Sequence, residues 1–153
     1  MNVLMSIKPE YVEKILNGEK RFEYRKTIPK KDIDKIIIYA TTPIKKVVGE
    51  VSVGRITIDD KLKVWEETKK YSGTSKEFFL AYYKNREVAV AYELVDVKIY
   101  NLAVSLKDSS VLRELDIDTQ DMYIFVRMNF EEENEELELK EKNAIKIAKF
   151  LLK

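Results

Sequence analysis

The sequence predicts an α+β fold: a mixed β-barrel with flanking helices and one more helix at the C-terminus. Three observations carry that expectation. The order of elements along the chain, β-α-β-β-β-αα-β-α-β-α, sets most strands beside another strand, which favours a mixed or antiparallel sheet over a doubly wound one. Residues 35–41, KIIIYAT, are a nearly continuous apolar run, the mark of a central strand. Residues 47–58, VVGEVSVGRITI, change inward parity at Gly54, with Val51 and Val53 on one face before it and Ile56 and Ile58 on one face after it. A bulge at Gly54 restores a single inner face and helps the sheet curl.

The remaining elements follow in order. Residues 2–7 are short and apolar and read as a strand. Pro9 then stands where a helix begins without wasting an amide hydrogen. Tyr11, Val12, Ile15 and Leu16 recur at helical spacing, and Gly18 suits the left-handed position after the last turn, so residues 9–17 are predicted as a helix. Residues 20–26, KRFEYRK, alternate as a strand, with Phe22 and Tyr24 on one face and Glu23 and Arg25 on the other. Pro29 ends that strand, and Thr42-Pro43 ends the central one. Two helices follow at residues 60–70 and 76–84, with Ser75 placed to cap the second. Residues 87–100 are β-rich and change phase near Leu94 and Val95. A short helix is predicted at 109–115, a last strand at 122–128, an acidic linker at 131–138 and an amphipathic helix at 139–153. Residues 1–130 thus form one domain, and 131–153 an appendage.

Composition narrows the chemistry. Of 153 residues, 36% are charged, yet the formal net charge is only +1, so any basic surface must be local. Cys and His are both absent. Thiol catalysis, disulfides, an imidazole base and the common zinc or non-haem iron ligand sets are therefore excluded. Acid–base work falls to Lys, Glu, Asp or Tyr. No metal or cofactor is implied. The N-terminus lacks the pattern of a signal peptide, and no apolar run is long enough to span a membrane, so the expectation is a cytoplasmic protein with no membrane partner.

Residues 18–25, GEKRFEYR, fit the pattern G-x-K-x-x-E-x-R directly after a strand and a short helix. Together with LMSIKPEYVEKILNG before it, and with VVGEVSVGRI, the Trp65 helix and YSGTSKEFF after it, the motif resembles the ASCH domain over about residues 1–128. The resemblance implies a PUA-like β-barrel, a cleft lined by the motif, and RNA or a nucleotide as partner, in RNA metabolism or transcription. Some small bacterial ASCH proteins are amidohydrolases on N4-acetylcytidine. There the motif lysine is the nucleophile, a threonine stands at the glutamate position, and a carboxylate comes from the later turn. This chain keeps Lys20, has Glu23 in place of the threonine, and has no acid between Tyr71 and Ser75.

The motif residues carry suitable chemistry of their own. Arg25 can clamp a phosphate through two parallel hydrogen bonds. Glu23 can accept from the exocyclic amine of cytosine, or orient Arg25. Lys20 can attract phosphate, or act as a nucleophile if desolvation lowers its pKa. The plain alternative is an ion-paired strand face worth about 0–1 kcal/mol per pair. Lys20 has the strand parity of Phe22 and Tyr24, so it joins Glu23 and Arg25 only if the chain twists near its start.

Three further residues complete the predicted binding set. Ser6 and Lys8 lie where the first strand meets the helix, and Lys8 can add to an anion site there. Tyr39 can stack on a base or belong to the core. If the protein is an enzyme, Lys20 and Glu23 are its catalytic pair. Trp65, Phe78, Phe79, Tyr82 and Tyr83 form either a stacking platform or, as their one-sided spacing favours, packing against the barrel. The 71–75 turn reads as a lid or a plain connection. The terminal helix is a surface for its own barrel, a second copy or a partner protein.

Overall fold

The computed structural model describes residues 2–105; the helix predicted at 109–115, the strand at 122–128, and the linker and helix beyond 130 lie outside them. The described elements are β1 (Asn2–Ile7), α1 (Pro9–Leu16), β2 (Phe22–Arg25), β3 (Lys35–Ala40), β4 (Lys46–Asp60), α2 (Lys61–Thr68), α3 (Lys76–Tyr82) and β5 (Val88–Val104), with a single 3-10 turn at Lys69–Tyr71. The five strands form one mixed sheet in the order β1-β3-β4-β5-β2. The β1–β3 pair is parallel and the other three are antiparallel.

The sheet is curled. Val3, Met5 and Ile7 of β1 share one buried cluster with Val90, Tyr92 and Leu94 of β5, although β3 and β4 separate those strands in the sheet. A flat sheet cannot bring such distant strands into one cluster; a half-barrel can. Val12 and Ile15 of α1 close that interior. The opposite face of β5 presents Ala89 and Ala91. Their small side chains admit Val64 and Trp65 of α2, Phe79 of α3 and Tyr83 into a second cluster with Tyr24 of β2.

Bulges produce the curl. Opposite Glu93, β4 carries both Gly54 and Arg55, so the register jumps where the sequence changes parity. The Glu93 carboxylate accepts from the Arg55 amide at 3.0 Å and fills the irregularity. The second phase change falls at Asp96, just beyond the predicted Leu94–Val95 step. There β5 carries the extra residue between Val95 and Val97, with a left-handed φ of 51°.

The helix caps behave as their residues dictate. Pro9 opens α1, and Gly18 leaves it with φ 82°. Asp60 accepts from the amides of Leu62 and Lys63, and Ser75 accepts from Phe78. Trp65, Phe79 and Tyr83 pack as core, while Phe78 stays exposed beside Tyr11, with ring centroids 6.1 Å apart.

Candidate ligand site at the half-barrel seam

The motif strand is shorter than its alternation suggests. Regular pairing begins at Phe22, opposite Glu93, whereas Lys20 makes an isolated bridge to Ser72. The Lys20 amide donates to Lys14 at 2.9 Å and the Arg21 amide to Tyr71 at 2.8 Å, so backbone partners outside the sheet turn this segment away from the strand path. That departure removes the parity conflict. Lys20 Nζ comes within 3.7 Å of Glu23 Oε2, and Arg25 Nη2 lies 2.9 Å from Glu23 Oε1.

The three side chains converge and are buried, at 4%, 8% and 7% exposure for Lys20, Glu23 and Arg25. A surface ion-paired strand would leave them in water. Glu23 stands opposite Tyr92 and Arg25 opposite Val90, so both carboxylate and guanidinium leave β2 on the barrel-interior face. Arg25 Nη2 also donates to the Ser6 carbonyl at 3.0 Å and thereby spans the seam between the edge strands β1 and β2.

Lys20 is held from several sides. Its amine donates to the Ser72 carbonyl at 2.9 Å and lies 5.4 Å from the Tyr11 ring centroid and 4.9 Å from that of Tyr24. Burial pushes this amine below the ordinary lysine range, against the opposing pull of the Glu23 carboxylate.

The other predicted residues stand differently towards this cluster. Ser6 contributes its carbonyl. Lys8 occupies the N-cap position of α1 with an exposed side chain, and its carbonyl accepts from Tyr11 and Val12. Tyr39 is half-buried beside Ser6 in the β1–β3 ladder. It alternates with Ile38 and Ala40 of the interior cluster, so it leaves β3 on the opposite face.

Tyr92 was not among the sequence candidates. It is fully buried, directly opposite Glu23, and its hydroxyl has no hydrogen-bond partner among the described residues. Burial pushes the phenol up to about 12, modulated by the nearby charges of Arg25 and Glu23, so at neutral pH it remains a proton donor. Nothing but its place opposite a motif residue marks it in the sequence, where it sits in the apolar run VAVAYELV.

The comparisons with known proteins decide the family. A family model described as the ASCH domain matches residues 5–99, a span that contains the entire buried cluster. The chain belongs to the ASCH domain family. This ASCH domain is 31% identical over 94 residues to an ASCH domain-containing ribonuclease of Zymomonas mobilis, covering 61% of the chain and 64% of the relative. It is also 31% identical over 99 residues to a large ribosomal subunit protein uL22 of Ureaplasma parvum, but covers only 31% of that protein. The chain thus spans less than two thirds of either relative. Among solved structures, the ASCH protein of Zymomonas mobilis superimposes with a TM-score of 0.65 at 28% identity, over 72% of this chain and 78% of that one. A serine-to-alanine variant of the same protein matches equally well. The ASCH domain is therefore an α+β PUA-like fold.

Among the described residues there is no group of acidic side chains able to hold a metal ion, and no helix long and apolar enough to cross a membrane.

Proposed function

We propose that this ASCH domain binds RNA, seating one nucleotide against Lys20, Glu23, Arg25 and the Tyr92 hydroxyl. The observation that carries this reading is the buried cluster at the barrel seam: two cations against one carboxylate. Such a cluster adds little net stability over apolar packing, because desolvation offsets most of the ionic attraction. The excess cation draws a phosphate or carbonyl oxygen, Glu23 accepts from a base amine, and Tyr92 donates to an acceptor beside it. The similarity to a protein named as a ribonuclease supports RNA as the polymer.

The test is binding of fluorescently labelled single-stranded RNA of mixed sequence across a salt series. The logarithm of the affinity falls linearly with log salt, and Arg25→Ala weakens binding by about tenfold or more, the equivalent of a lost charge-assisted contact. Absent binding, or binding indifferent to salt and to Arg25, overturns the reading.

A second reading, RNA cleavage, is favoured by the state of Lys20. An amine held below the ordinary lysine range gives up its proton more readily and suits general-base work. Labelled RNA shortened by the parent protein but intact with Lys20→Ala supports it, and equal cleavage by both proteins rejects it. An amidohydrolase on N4-acetylcytidine would need a carboxylate at the 71–75 turn. Here the Ser72 carbonyl meets the lysine, so acetate release is the less favoured outcome.

A further inference from the structure

The 71–75 turn does more than join two helices. It meets the motif lysine at two points, and Arg21 and Lys14 at one each. The Ser72 carbonyl accepts from Lys20 Nζ at 2.9 Å, Ser72 bridges the Lys20 backbone, Tyr71 accepts from the Arg21 amide at 2.8 Å, and the Gly73 carbonyl accepts from Lys14 Nζ at 2.9 Å. Gly73 has φ 69°, and a Cβ there would lie 2.6, 2.8 and 2.9 Å from Cβ, Cγ and Cδ of Lys20. Those atoms are the rooted part of the lysine stem, so a methyl group at this position displaces the stem itself. Gly18 is the internal comparison: its φ is 82°, but a Cβ there meets nothing within 4 Å. The two glycines share the backbone penalty of a left-handed residue and differ only in what stands next to them.

We propose that Gly73 is a positioning residue for Lys20: its bare Cα lets the turn lie against the lysine stem and hold the amine between Tyr11, Tyr24 and Glu23. This rests on the reading of Lys20 as a working residue of the RNA site. The turn supplies a carbonyl, and the α1 lysine at position 14 anchors the turn in its place. Lys20 owes part of its burial, and with it the downward push on its pKa, to this contact.

The experiment uses the full chain with lysine labelled at Cε, and follows the Lys20 resonance against pH in Gly73→Ala, Gly18→Ala and Ser72→Ala. RNA affinity is measured alongside on the same mixed-sequence oligonucleotides. In Gly73→Ala the Lys20 titration moves up towards the ordinary lysine range, and RNA affinity falls about tenfold, one lost charged contact. Gly18→Ala bears the shared backbone penalty, and so loses some thermal stability, but keeps the parent titration. Ser72→Ala, which removes the Ser72 hydroxyl contacts to Thr74 and so loosens the turn with no clash and no change of charge, moves the Lys20 titration in the same direction by less, and decides the matter should Gly73→Ala not fold. An unchanged titration in both Gly73→Ala and Ser72→Ala, or an equal shift in Gly18→Ala, overturns the proposal. If the titration moves as expected while neither Gly73→Ala nor Lys20→Ala alters RNA affinity, the positioning role stands and the assignment of Lys20 to the RNA site falls.

Discussion

Arg25 donates from Nη2 to the backbone carbonyl of Ser6 across 3.0 Å, joining two edge strands that no ladder of backbone hydrogen bonds connects among the described residues. The same nitrogen lies 2.9 Å from Glu23 Oε1, so one guanidinium both closes the seam and neutralises a buried carboxylate. Arg25→Ala strands Glu23 without its strongest counter-charge and costs about 3 kcal/mol or more. Replacing both partners with apolar side chains, Arg25→Met with Glu23→Leu, costs less than Arg25→Ala alone. Urea denaturation midpoints of the two proteins check this, and a double variant less stable than the single one contradicts it.

Tyr92→Phe separates stability from binding. The hydroxyl has no partner among the described residues, so its removal costs no hydrogen bond and relieves a buried polar atom. The variant unfolds at the parent's urea concentration or up to about 1 kcal/mol later, while RNA affinity drops several-fold. A variant that is destabilised and binds RNA normally refutes the assignment of Tyr92 to the ligand.

Tyr24 and Tyr92 both have phenols pushed up to about 12, chiefly by burial. Their folded pKa values exceed the unfolded value near 10, so the native state holds more protons than the unfolded chain between about pH 10 and 12. Stability is therefore unaffected by them below about pH 10 and falls as pH rises through that window. Tyr92→Phe flattens the fall by one proton's worth. The Lys20 amine acts in the opposite sense below that range: its folded pKa is depressed, so stability rises as pH approaches the ordinary lysine value. Unfolding free energies from pH 8 to 12 show the rise, the maximum and the decline.

Two strand glycines respond differently to a methyl group. At Gly49 a Cβ would lie 2.5 Å from the backbone carbonyl of Lys98, which cannot yield without moving β5. At Gly54 the obstacle, 2.7 Å away, is the carboxylate end of Glu93, a flexible group. Gly49→Ala costs about 1–3 kcal/mol by overpacking, and Gly54→Ala less than about 1 kcal/mol. Thermal melts of the two variants compare them directly.

Much of this fold is visible in the residues alone, because strand and helix periods are local properties. The parity flip at Gly54 marks a bulge, Pro9 and Gly18 bracket a helix, and Ser75 caps another. The convergence of Lys20 with Glu23 and Arg25 was harder to read. Strand alternation puts Lys20 on the wrong face, and what corrects it is a pair of backbone contacts from Lys14 and Tyr71, the latter some fifty residues downstream. Tyr92 is invisible for a related reason. Its significance lies in the cross-strand register that sets it against Glu23, and that β2–β5 pairing joins residues about seventy apart in the chain.

The hydroxyl of Tyr83 sits at 2.8 Å from the carbonyl of Arg25 and 3.3 Å from that of Val90. The helical excursion thus reaches back to grip the last residue of the motif strand and its partner on β5. Grafting the eight-residue motif onto another small barrel would transplant the charges without that grip. A transferable unit must carry α2, α3 and Tyr83 with it, making the excursion part of the frame that holds the motif strand and not an interchangeable cassette.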